Sequence, residues 1–334
     1  MRFKDATVLV TGGAGFVGSN LVVALVREGA RVRVVDNFFT GSVENIKEVI
    51  NDIELIRASV SSREDMEKAI EGVDYVFHLA TVNIQAAVQF PELEMETNVG
   101  GTVNLLNLCK NLPIKRFVYT SSVSIYGQQK HLPIKEDAPP ILKSFYPAGK
   151  YAGEAYCFAF HHHHGVPITI LRYSNVYGPK QSPSNPYAGV VSKFLNSALK
   201  GEKIVIHGDG KQTRDFVYIE DAVEATLLSA IIPQAIGEVF NVASGKETSI
   251  EDLVKLVMLM VNGSLEIEYV QPREIDYVER RVLDIQKAQR LLGWSPKTDL
   301  REGLRKTYEW MQCNAKSDEE MKIESQFRER HSED

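Results

Sequence analysis

Short β-branched runs alternate with helical hydrophobic patterns along the first half of the chain. The runs predict strands over Thr7 to Val10, Arg31 to Val35, Ile53 to Ile56, Tyr75 to His78, Phe117 to Thr120 and Ile168 to Leu171. Alternation of strands and helices along a chain is typical of βαβ units. We therefore expect an α/β fold built on a parallel sheet.

The first predicted helix begins after Gly15 and ends at Gly29. Its apolar positions recur every three or four residues and share one face: Val17, Leu21, Ala24 and Leu25. A crossover helix packed on a sheet needs such a face. Glycine then supplies the left-handed residue with which many helices end.

A change in composition divides the chain. Residues 178 to 186 are rich in Pro, Ser, Asn and Gly, which predicts a long loop. We expect a sheet-forming domain over residues 1–178 and a smaller mixed α/β lobe over 179–315, with some interleaving between them. Residues 316–334 form a highly charged tail, which predicts a solvated helix or disorder.

Composition and charge exclude several classes of partner. The 334 residues are 44% hydrophobic with a formal net charge of -6, so no basic surface for nucleic acid or anionic lipid is expected. No apolar stretch has the length of a membrane span. The three cysteines lack disulfide or metal-ligand spacing, which favours a reduced, cytoplasmic location.

The run His161 to His164 is the one cluster of metal-ligating residue types. Adjacent residues on a helix point in different directions, and only those three or four apart converge on a common ligand. Because Gly165 and Pro167 follow, the run predicts a solvated helix end, and we expect no metal site.

A glycine pattern, Gly13-x-Gly15-x-x-Gly18, lies between the first strand and the first helix. Such glycines permit a tight turn, close approach of the backbone to a pyrophosphate and close packing of helix on sheet. The helix N-terminus offers unpaired amides and a positive dipole to the phosphates. The pattern predicts a dinucleotide site, although the glycines could also form only a turn.

Asp36 ends the second predicted strand, near the spacing expected for a ribose-binding acid. Its carboxylate suits a ribose 2′-hydroxyl and repels a 2′-phosphate, which favours NAD over NADP. Arg31 and Arg33 precede it on the same strand and could weaken that discrimination. The alternative is that Asp36 only caps the strand.

Tyr146 and Lys150 are four residues apart in a helix-forming segment, so phenol and ammonium share one face. A cation there favours the tyrosinate, and a phenol pKa lowered from about 10 toward neutrality would allow general base catalysis. Ser122, at the end of a strand, is placed to hydrogen-bond the substrate hydroxyl whose proton Tyr146 would take. Such a pair also occurs on exposed helices, so on its own it leaves both interpretations open.

Seven motifs together resemble the extended short-chain dehydrogenase/reductase family, in its nucleotide-sugar epimerase and dehydratase branch. They are Thr11-Gly-Gly-Ala-Gly-Phe-Val-Gly18, His78-Leu-Ala80, Asn98-Val-Gly-Gly-Thr102, Thr120-Ser-Ser-Val-Ser-Ile-Tyr-Gly127, Tyr146-Pro-Ala-Gly-Lys-Tyr-Ala-Gly-Glu154, Arg172-Tyr-Ser-Asn-Val-Tyr-Gly-Pro179 and Arg214-Asp-Phe216. The resemblance implies a Rossmann doubly wound sheet with a C-terminal substrate lobe, NAD as cofactor, and a nucleotide-sugar substrate. It also implies a homodimer formed through helices near Glu94 to Lys110 and Pro147 to His164.

The resemblance also implies roles for individual residues. Tyr146 would be the acid/base, Lys150 would hold the nicotinamide ribose, and Ser122 would complete a triad. The cofactor would be contacted by Gly12, Gly15, Phe16, Val17, Gly18, Asp36, Asn37, Ser59, Val60, Leu79, Ala80, Asn98, Tyr146 and Lys150. The substrate would be contacted by Ser122, Ser124, Asn175, Val190, Arg214, Arg273 and Arg281.

This chain departs from the family at the position that usually carries an adenine-contacting aspartate. Ser59 occupies it, within Arg57-Ala-Ser-Val60. The Ser59 hydroxyl or the Val60 backbone would have to make the contact to adenine instead.

The two residues after Ser122 bear on the reaction. Family members that eliminate water carry an Asp-Glu pair at these two positions, and decarboxylating members carry Glu at the second. This chain has Val123 and Ser124 instead. Valine cannot exchange a proton, and serine is a poor substitute for a carboxylate. We therefore expect a 4-epimerase acting through a transient 4-keto sugar, with a 4,6-dehydratase, a 4-ketoreductase or a non-catalytic NAD-binding protein as alternatives.

The substrate is expected to be a UDP-hexose or a UDP-hexuronic acid. Arg214 and Arg273 fall at family positions for phosphate contact, for which guanidinium groups are well suited. Arg214 could instead form a buried ion pair with a local carboxylate, and Arg280 competes with Arg281 for a place near the sugar. Arg281 would suit a 6-carboxylate, or it could be a surface arginine.

Overall fold

A computed structural model describes residues 1–181, 189–261, 263, 265–273 and 277–314 of the chain. The strands are β1 (Thr7–Thr11), β2 (Arg31–Asp36), β3 (Ile53–Arg57), β4 (Tyr75–His78), β5 (Arg116–Ser122), β6 (Ile168–Tyr173), β7 (Asn175–Tyr177), β8 (Ile204–His207), β9 (Thr213–Arg214), β10 (Phe216–Tyr218), β11 (Glu238–Val242), β12 (Thr248–Ser249) and β13 (Ile267–Val270).

The α-helices are α1 (Phe16–Arg27), α2 (Arg63–Ala69), α3 (Ile84–Gln89), α4 (Pro91–Glu94), α5 (Thr102–Cys109), α6 (Phe145–His164), α7 (Val190–Lys200), α8 (Ile219–Ile231), α9 (Ile250–Met260), α10 (Gln286–Leu292) and α11 (residues 300–314). Val43–Asp52, Val123–Tyr126 and Pro233–Ala235 form 3₁₀ turns, and Met95–Gly101 is a π-helical segment between α4 and α5.

Seven parallel strands form the central sheet, in the order β11-β6-β5-β4-β1-β2-β3. The strand order reverses between β1 and β4, because the chain proceeds from β1 to β3 on one side and from β4 onward on the other. In open α/β sheets, ligands bind outside the carboxyl ends of the strands at such a reversal. Thr11, Asp36, His78 and Ser122 end their strands at this edge.

The predicted fold class is confirmed, and so are the six predicted strands. Five of them extend one or two residues beyond the predicted limits, since polar residues such as Asp36 and Ser122 still pair in the sheet. The first helix is also confirmed as α1. Gly29 follows it with a φ of 82°, in the left-handed region expected for a glycine at a helix end.

The central sheet is buried on both faces, as parallel sheets are. Along β1, Val8 and Val10 pack into a core shared with α1, α8 and α9, whereas Leu9 packs into a second core shared with α2, α5 and α6. This alternation explains why the strands read as continuous apolar runs. It also fixes α6, which carries two predicted catalytic residues, against the sheet.

The second half of the chain adds smaller units. Three two-stranded sheets form there, β7 with β10, β9 with β12 and β8 with β13. One strand, β11, leaves this region and pairs with β6 at the edge of the central sheet. The division into domains at residue 178 stays a prediction, and residues 182–188 of the loop and 315–334 of the tail region lie outside the described residues.

The histidine run ends α6, as predicted, with Gly165 at a φ of 69°. His161 differs from the expectation of a solvated residue. Its Nδ1 lies 2.8 Å from the Val166 carbonyl oxygen, and its ring packs against Gly237. Among the described residues no cluster of metal-ligating side chains is present, and no described helix is both long and apolar enough to span a membrane.

Candidate active site

The glycine turn between β1 and α1 is shaped by backbone contacts that leave no space for side chains. Gly12 has a φ of 70°, and a Cβ there would lie 2.7 Å from the Ala80 nitrogen. A Cβ on Gly18 would lie 2.1 Å from the Gly12 carbonyl oxygen. The turn therefore brings α1 against β1 and β4 at a distance that only glycine permits.

This turn fits the phosphates of a dinucleotide. Gly15 precedes the first helical residue of α1 and has no side chain to cap the helix, so first-turn amides at Phe16 and Val17 remain for an anion. The predicted cofactor residues Gly12, Gly15, Phe16, Val17 and Gly18 all lie in this one turn. The donor set thus suits the pyrophosphate of NAD.

Asp36 is buried beside the glycine turn and braces it. Its Oδ2 accepts a hydrogen bond from the Ala14 amide at 2.9 Å, and its Oδ1 accepts from the Phe38 amide at 2.8 Å. Burial raises the pKa of this carboxyl, and the two amide hydrogen bonds act in the opposite direction. Each carboxylate oxygen can accept a further bond, as contact with a ribose hydroxyl would require.

The two arginines of β2 lie away from this site. Side chains alternate along a strand, so Arg31 and Arg33 point to the face opposite Asp36. Arg33 pairs with Glu54 at 2.7 Å and donates to the Ala69 carbonyl oxygen. Their position removes the physical basis for weakened discrimination against NADP.

The predicted adenine end lies beyond Asp36, after β3. The Ser59 hydroxyl is 2.8 Å from that of Ser61, and the Val60 carbonyl oxygen accepts from Asn104 at 2.9 Å. Asn37 is exposed, and its Oδ1 accepts from the Phe39 amide. Contacts of these residues with adenine or ribose stay predictions.

A buried amide network supports the carboxyl end of β4, where Leu79 and Ala80 lie beside the glycine turn. The Asn98 Oδ1 accepts from the Val82 amide at 2.8 Å and from the Thr81 hydroxyl at 3.0 Å. Its Nδ2 donates to the Val82 carbonyl oxygen at 3.1 Å and to Glu94 at 2.7 Å. Asn98 therefore holds residues 81 and 82 in place, and its contact with the cofactor stays a prediction.

Ser122 and Tyr146 are brought together by the end of β5 and the first turn of α6. Burial raises the pKa of Tyr146 to about 12, while hydrogen bonds with Ser122 and Thr81 lower it. The sequence favoured a lowered phenol pKa, and the difference arises because burial of the phenol outweighs its polar neighbours.

Lys150 follows one turn after Tyr146 and is also buried. Its ammonium donates to the Thr120 carbonyl oxygen at 2.8 Å and lies 5.1 Å from the centre of the Tyr119 ring. Burial lowers the pKa of Lys150 to about 8. The structure places Lys150 on the same helix face as Tyr146, and its tuning of that residue stays a prediction.

An ion pair fixes the helix that carries both residues. Arg172 in β6 and Glu154 in α6 form a two-pronged contact at 2.6 and 2.9 Å, and both side chains are buried. The same guanidinium donates to the Tyr126 hydroxyl at 2.8 Å. Because α6 is tied to β6 one turn beyond Lys150, the position of the catalytic pair along the sheet edge is restrained.

Two predicted substrate residues carry buried oxygen atoms that lack a partner in the described part of the chain. The Oγ of Ser124 and the Oδ1 of Asn175 have no hydrogen-bond partner among the described residues. Unpaired buried polar groups are rare, because each costs free energy comparable to a lost hydrogen bond. Val123, by contrast, is buried in a small apolar cluster with Ile125 and Tyr126.

Arg214 lies next to Asn175 through the neighbouring Asp215. The Asn175 amide donates to the Asp215 carbonyl oxygen at 3.1 Å, and the Arg214 guanidinium donates to the Thr213 and Val278 carbonyl oxygens. The Asp215 carboxylate accepts from residues 244, 245 and 283. The nearest carboxylate in sequence is therefore directed away from Arg214.

The remaining arginines occupy different surroundings. Arg280 binds Glu247 through two contacts, at 2.7 and 2.8 Å. Arg281 is half-buried, and its amide donates to the Thr213 hydroxyl, which places it beside Arg214. Arg273 is exposed after β13, and residues 274–276 lie outside the described residues.

Val190 begins α7. The preceding Gly189 caps the helix without a side-chain hydrogen bond, so this N-terminus offers amides to an anion.

The sequence did not predict that Thr81 and Glu94 lie at the site. Thr81 contacts both Asn98 and Tyr146, and its position directly after the His78-Leu-Ala80 motif was a usable signal. Glu94 is buried against Gly149, where a Cβ would lie 2.0 Å from its Oε1. It stands between the exposed Glu92 and Glu96, and nothing in that acidic run distinguishes it.

Comparison with known proteins gives a consistent result. The profile described as "NAD dependent epimerase/dehydratase family" matches residues 8–243. A UDP-glucose 4-epimerase of Mycolicibacterium smegmatis is 36% identical over 307 residues, which cover 90% of this chain and 97% of that protein. UDP-glucuronic acid decarboxylase 4 of Arabidopsis thaliana is 38% identical over 312 residues, 91% of this chain and 68% of that protein.

Another similar protein has been solved with a nucleotide sugar and NAD bound. It is a UDP-glucuronic acid 4-epimerase from Bacillus cereus in complex with UDP-glucuronic acid and NAD. The TM-score is 0.85 at 30% identity, with 92% of this chain and 99% of that chain covered.

Proposed function

Because this chain belongs to the NAD-dependent epimerase/dehydratase family, we propose that it interconverts the C4 epimers of a UDP-sugar. The observation that carries this proposal is the pair of residues after β5. Val123 is sealed in an apolar cluster, and Ser124 presents a hydroxyl, so neither supplies a carboxylate beside the triad. Overall identity does not separate the reactions, since an epimerase and a decarboxylase match this chain almost equally.

In the proposed mechanism, the glycine turn and Asp36 would hold NAD, which would supply a reversible hydride acceptor for sugar C4. Tyr146, as a tyrosinate stabilised by the Lys150 cation, takes the 4-hydroxyl proton as the hydride leaves. Ser122 holds the same oxygen by a hydrogen bond from the other side. After the 4-keto sugar turns over, Tyr146 returns the proton and the C4 epimer forms without net redox change.

Lys150 and Asn98 act through position. Lys150 presents a cation on the Tyr146 side of α6, where it can bind ribose hydroxyls and stabilise a tyrosinate. Asn98 keeps Thr81 against the Tyr146 hydroxyl. Both side chains are buried, so they are held in place before the ligands bind.

The nucleotide end of the substrate has three supports. The uncapped N-terminus of α7 at Val190 and the guanidinium of Arg214 suit the diphosphate, and the unpaired Oδ1 of Asn175 accepts a hydrogen bond from the substrate. Arg281 beside Arg214 favours neither a hexose nor a hexuronic acid by geometry alone. Arg273 is a further phosphate candidate.

The proposal is tested by incubation of the purified protein with UDP-glucose, UDP-glucuronic acid and UDP-N-acetylglucosamine, each without added cofactor. We expect inversion at C4 with unchanged mass in at least one case, read by NMR and mass spectrometry. Tyr146→Phe should retain bound NAD and lose turnover. Loss of carbon dioxide or water, or consumption of stoichiometric NADH, would assign a decarboxylase, a dehydratase or a ketoreductase instead.

We also propose a homodimer formed through exposed apolar residues on adjoining elements, the proposed dimer face. Val88, Phe90 and Met95 are exposed in the segment from α3 to the π-helical turn, and Tyr156 and Phe158 are exposed on α6, which packs beside it. Exposed apolar groups concentrated on adjoining elements mark interaction surfaces. The buried free thiols of Cys109 and Cys157 and the acidic composition support a cytoplasmic protein without a nucleic-acid partner.

Sedimentation tests the dimer. Phe90→Glu should shift the wild-type dimer to monomer, because a charge would be buried in the interface. Leu259→Glu is the matched control, since Leu259 is 67% exposed on α9, away from this face. A monomeric wild type, or equal effects of the two substitutions, would contradict the proposed interface.

A further inference from the structure

The segment that follows β7 crosses the beginning of α1. The Asn20 Nδ2 donates to the Pro179 carbonyl oxygen at 3.2 Å and to the Phe16 carbonyl oxygen at 2.9 Å. Asn20 therefore ties Pro179 to the second turn of α1. This is the end of α1 at which the cofactor phosphates are proposed to bind.

The next residue of the segment, Lys180, reaches across to a different element. Its Nζ lies 2.6 Å from Glu48 Oε1, and its side chain is only 14% exposed. Lys180 has a φ of 71°, a left-handed conformation that costs a residue with a Cβ about 1 kcal/mol or more. The contacts of Pro179 with Asn20 and of Lys180 with Glu48 must therefore stabilise this conformation by more than the strain costs.

Glu48 is itself anchored to the glycine turn. It lies on the 3₁₀ turn Val43–Asp52, whose start is bound to Ala14: the Ser42 amide and the Asn45 side chain both donate to the Ala14 carbonyl oxygen, at 3.0 and 2.9 Å. Lys180 thus closes a ring of contacts from α1 through residues 179 and 180 to Glu48 and back to the turn. The first turn of α1 lies between the two anchor points of this ring, Ala14 and Asn20.

We propose that Asn20, Glu48, Pro179 and Lys180 form a clasp that retains NAD on the enzyme. The inference rests on the proposed function, in which one bound NAD must give back the hydride that it accepted. Release between the two transfers would abort the cycle. Opening the clasp requires solvating a largely buried ammonium and breaking a charge-assisted hydrogen bond, which slows the release of cofactor.

The clasp also connects the two ligands. Asn175, a proposed substrate residue, lies five positions before Lys180 on the same stretch of chain. A substrate that holds Asn175 in place therefore also restrains Pro179 and Lys180. We expect the bound substrate to slow NAD release further. This slowing should be smaller in a variant that lacks the Lys180–Glu48 ion pair.

The release rate of the cofactor tests the clasp. Protein loaded with NADH is mixed with excess NAD, and the change in NADH fluorescence gives the dissociation rate. Lys180→Met and Glu48→Gln should each raise this rate about fivefold or more, the size expected for loss of a partly buried charged contact. Asn20→Ala should act in the same direction through the second tie. The swapped pair Lys180→Glu with Glu48→Lys should recover part of the loss.

Arg27→Met is the matched control. Arg27 contacts the same Glu48 at 3.6 Å but is 74% exposed at the far end of α1, so the rate should stay within about twofold. Thermal unfolding of the NAD-free variants checks that they are folded. Release rates equal to wild type in Lys180→Met, Glu48→Gln and Asn20→Ala would overturn the clasp and leave the proposed function intact. Failure of the wild type to bind NADH or NAD would overturn the proposed function itself.

Discussion

The proposed cofactor side and the proposed substrate side of the site differ in how their buried polar groups are hydrogen-bonded. On the cofactor side, Asn98 uses both its amide hydrogens and its oxygen in bonds to the protein, and Asp36 uses both carboxylate oxygens. On the substrate side, Ser124 and Asn175 keep buried oxygens without partners in the described chain. The first arrangement fixes the shape of the protein, and the second leaves hydrogen-bonding atoms for the proposed substrate.

The supporting architecture follows the same division. The cofactor side is the edge of a seven-stranded sheet buried on both faces, while the substrate side is built from two-stranded sheets and connecting segments. A rigid sheet suits a cofactor whose hydride must reach one atom. Shorter units can vary without disturbing the sheet, which suits the part of the site that selects the sugar.

The largest contrast should appear in stability when each side loses one polar group. Asn98→Ala removes at least three buried hydrogen bonds and should lower the free energy of unfolding by about 3 kcal/mol or more. Ser124→Ala removes an oxygen without a described partner and should leave stability unchanged or slightly raised, while KM rises. Urea unfolding measures both. Equal losses in the two variants would mean that the two sides do not differ in this way.

The next effect concerns the glycine turn. Gly18→Ala places a methyl group 2.1 Å from the Gly12 carbonyl oxygen, so α1 must shift, and NAD affinity should fall about 100-fold. A Cβ on Gly15 would lie 3.2 Å from the Gly12 carbonyl oxygen, and Gly15→Ala should lower NAD affinity less than about tenfold. Calorimetry with NAD compares the two, and similar affinities would show that the turn tolerates side chains.

A smaller effect is expected on the substrate side. Arg214→Met should raise KM for the UDP-sugar about tenfold or more, through loss of a charged phosphate contact, without change in NAD affinity. Arg280→Met is the control, because Arg280 is committed to Glu247. A fall in NAD affinity with Arg214→Met would show that this arginine serves the cofactor side.

The last effect is a pH dependence specific to the cofactor side. Burial lowers the pKa of His78, which bridges Thr11 and Thr102, from 6.5 to about 3. Below pH 6.5 the unfolded chain gains a proton that the folded chain does not, so the free energy of unfolding falls toward pH 3. The expected slope is about 1.4 kcal/mol per pH unit from this group. His78→Gln should flatten the slope between pH 6 and 4.5, and an unchanged slope would assign the acid sensitivity to other groups.

The parts of the fold that sequence predicts are those with a repeating physical signal. Buried parallel strands leave apolar runs, and the glycine turn leaves a spacing that its close backbone contacts require. The sheet of β9 and β12 leaves no such signal, since both strands are two residues long and too short for a period to show.

Within the site, sequence predicts chemistry better than surroundings. The sequence predicts that Tyr146, Lys150 and Ser122 lie together. It does not predict that the pKa of Tyr146 is raised, because burial depends on packing with residues distant in the sequence. Glu94 resembles its solvated neighbours until α6 covers it. Lys180 shows no sequence feature that demands a left-handed backbone. The orientation of Arg31 and Arg33 was predictable, since both alternate with Asp36 along one strand.

The position of β11 has a consequence for folding during synthesis. The outer edge of β6 is paired only by residues 238–242, which emerge from the ribosome some 65 residues after β6 is complete. Until then the nascent sheet presents an unpaired strand edge of the kind that associates with other chains. A fragment ending near residue 178 would keep that edge open permanently, so the N-terminal half should depend on its late seventh strand to remain monodisperse.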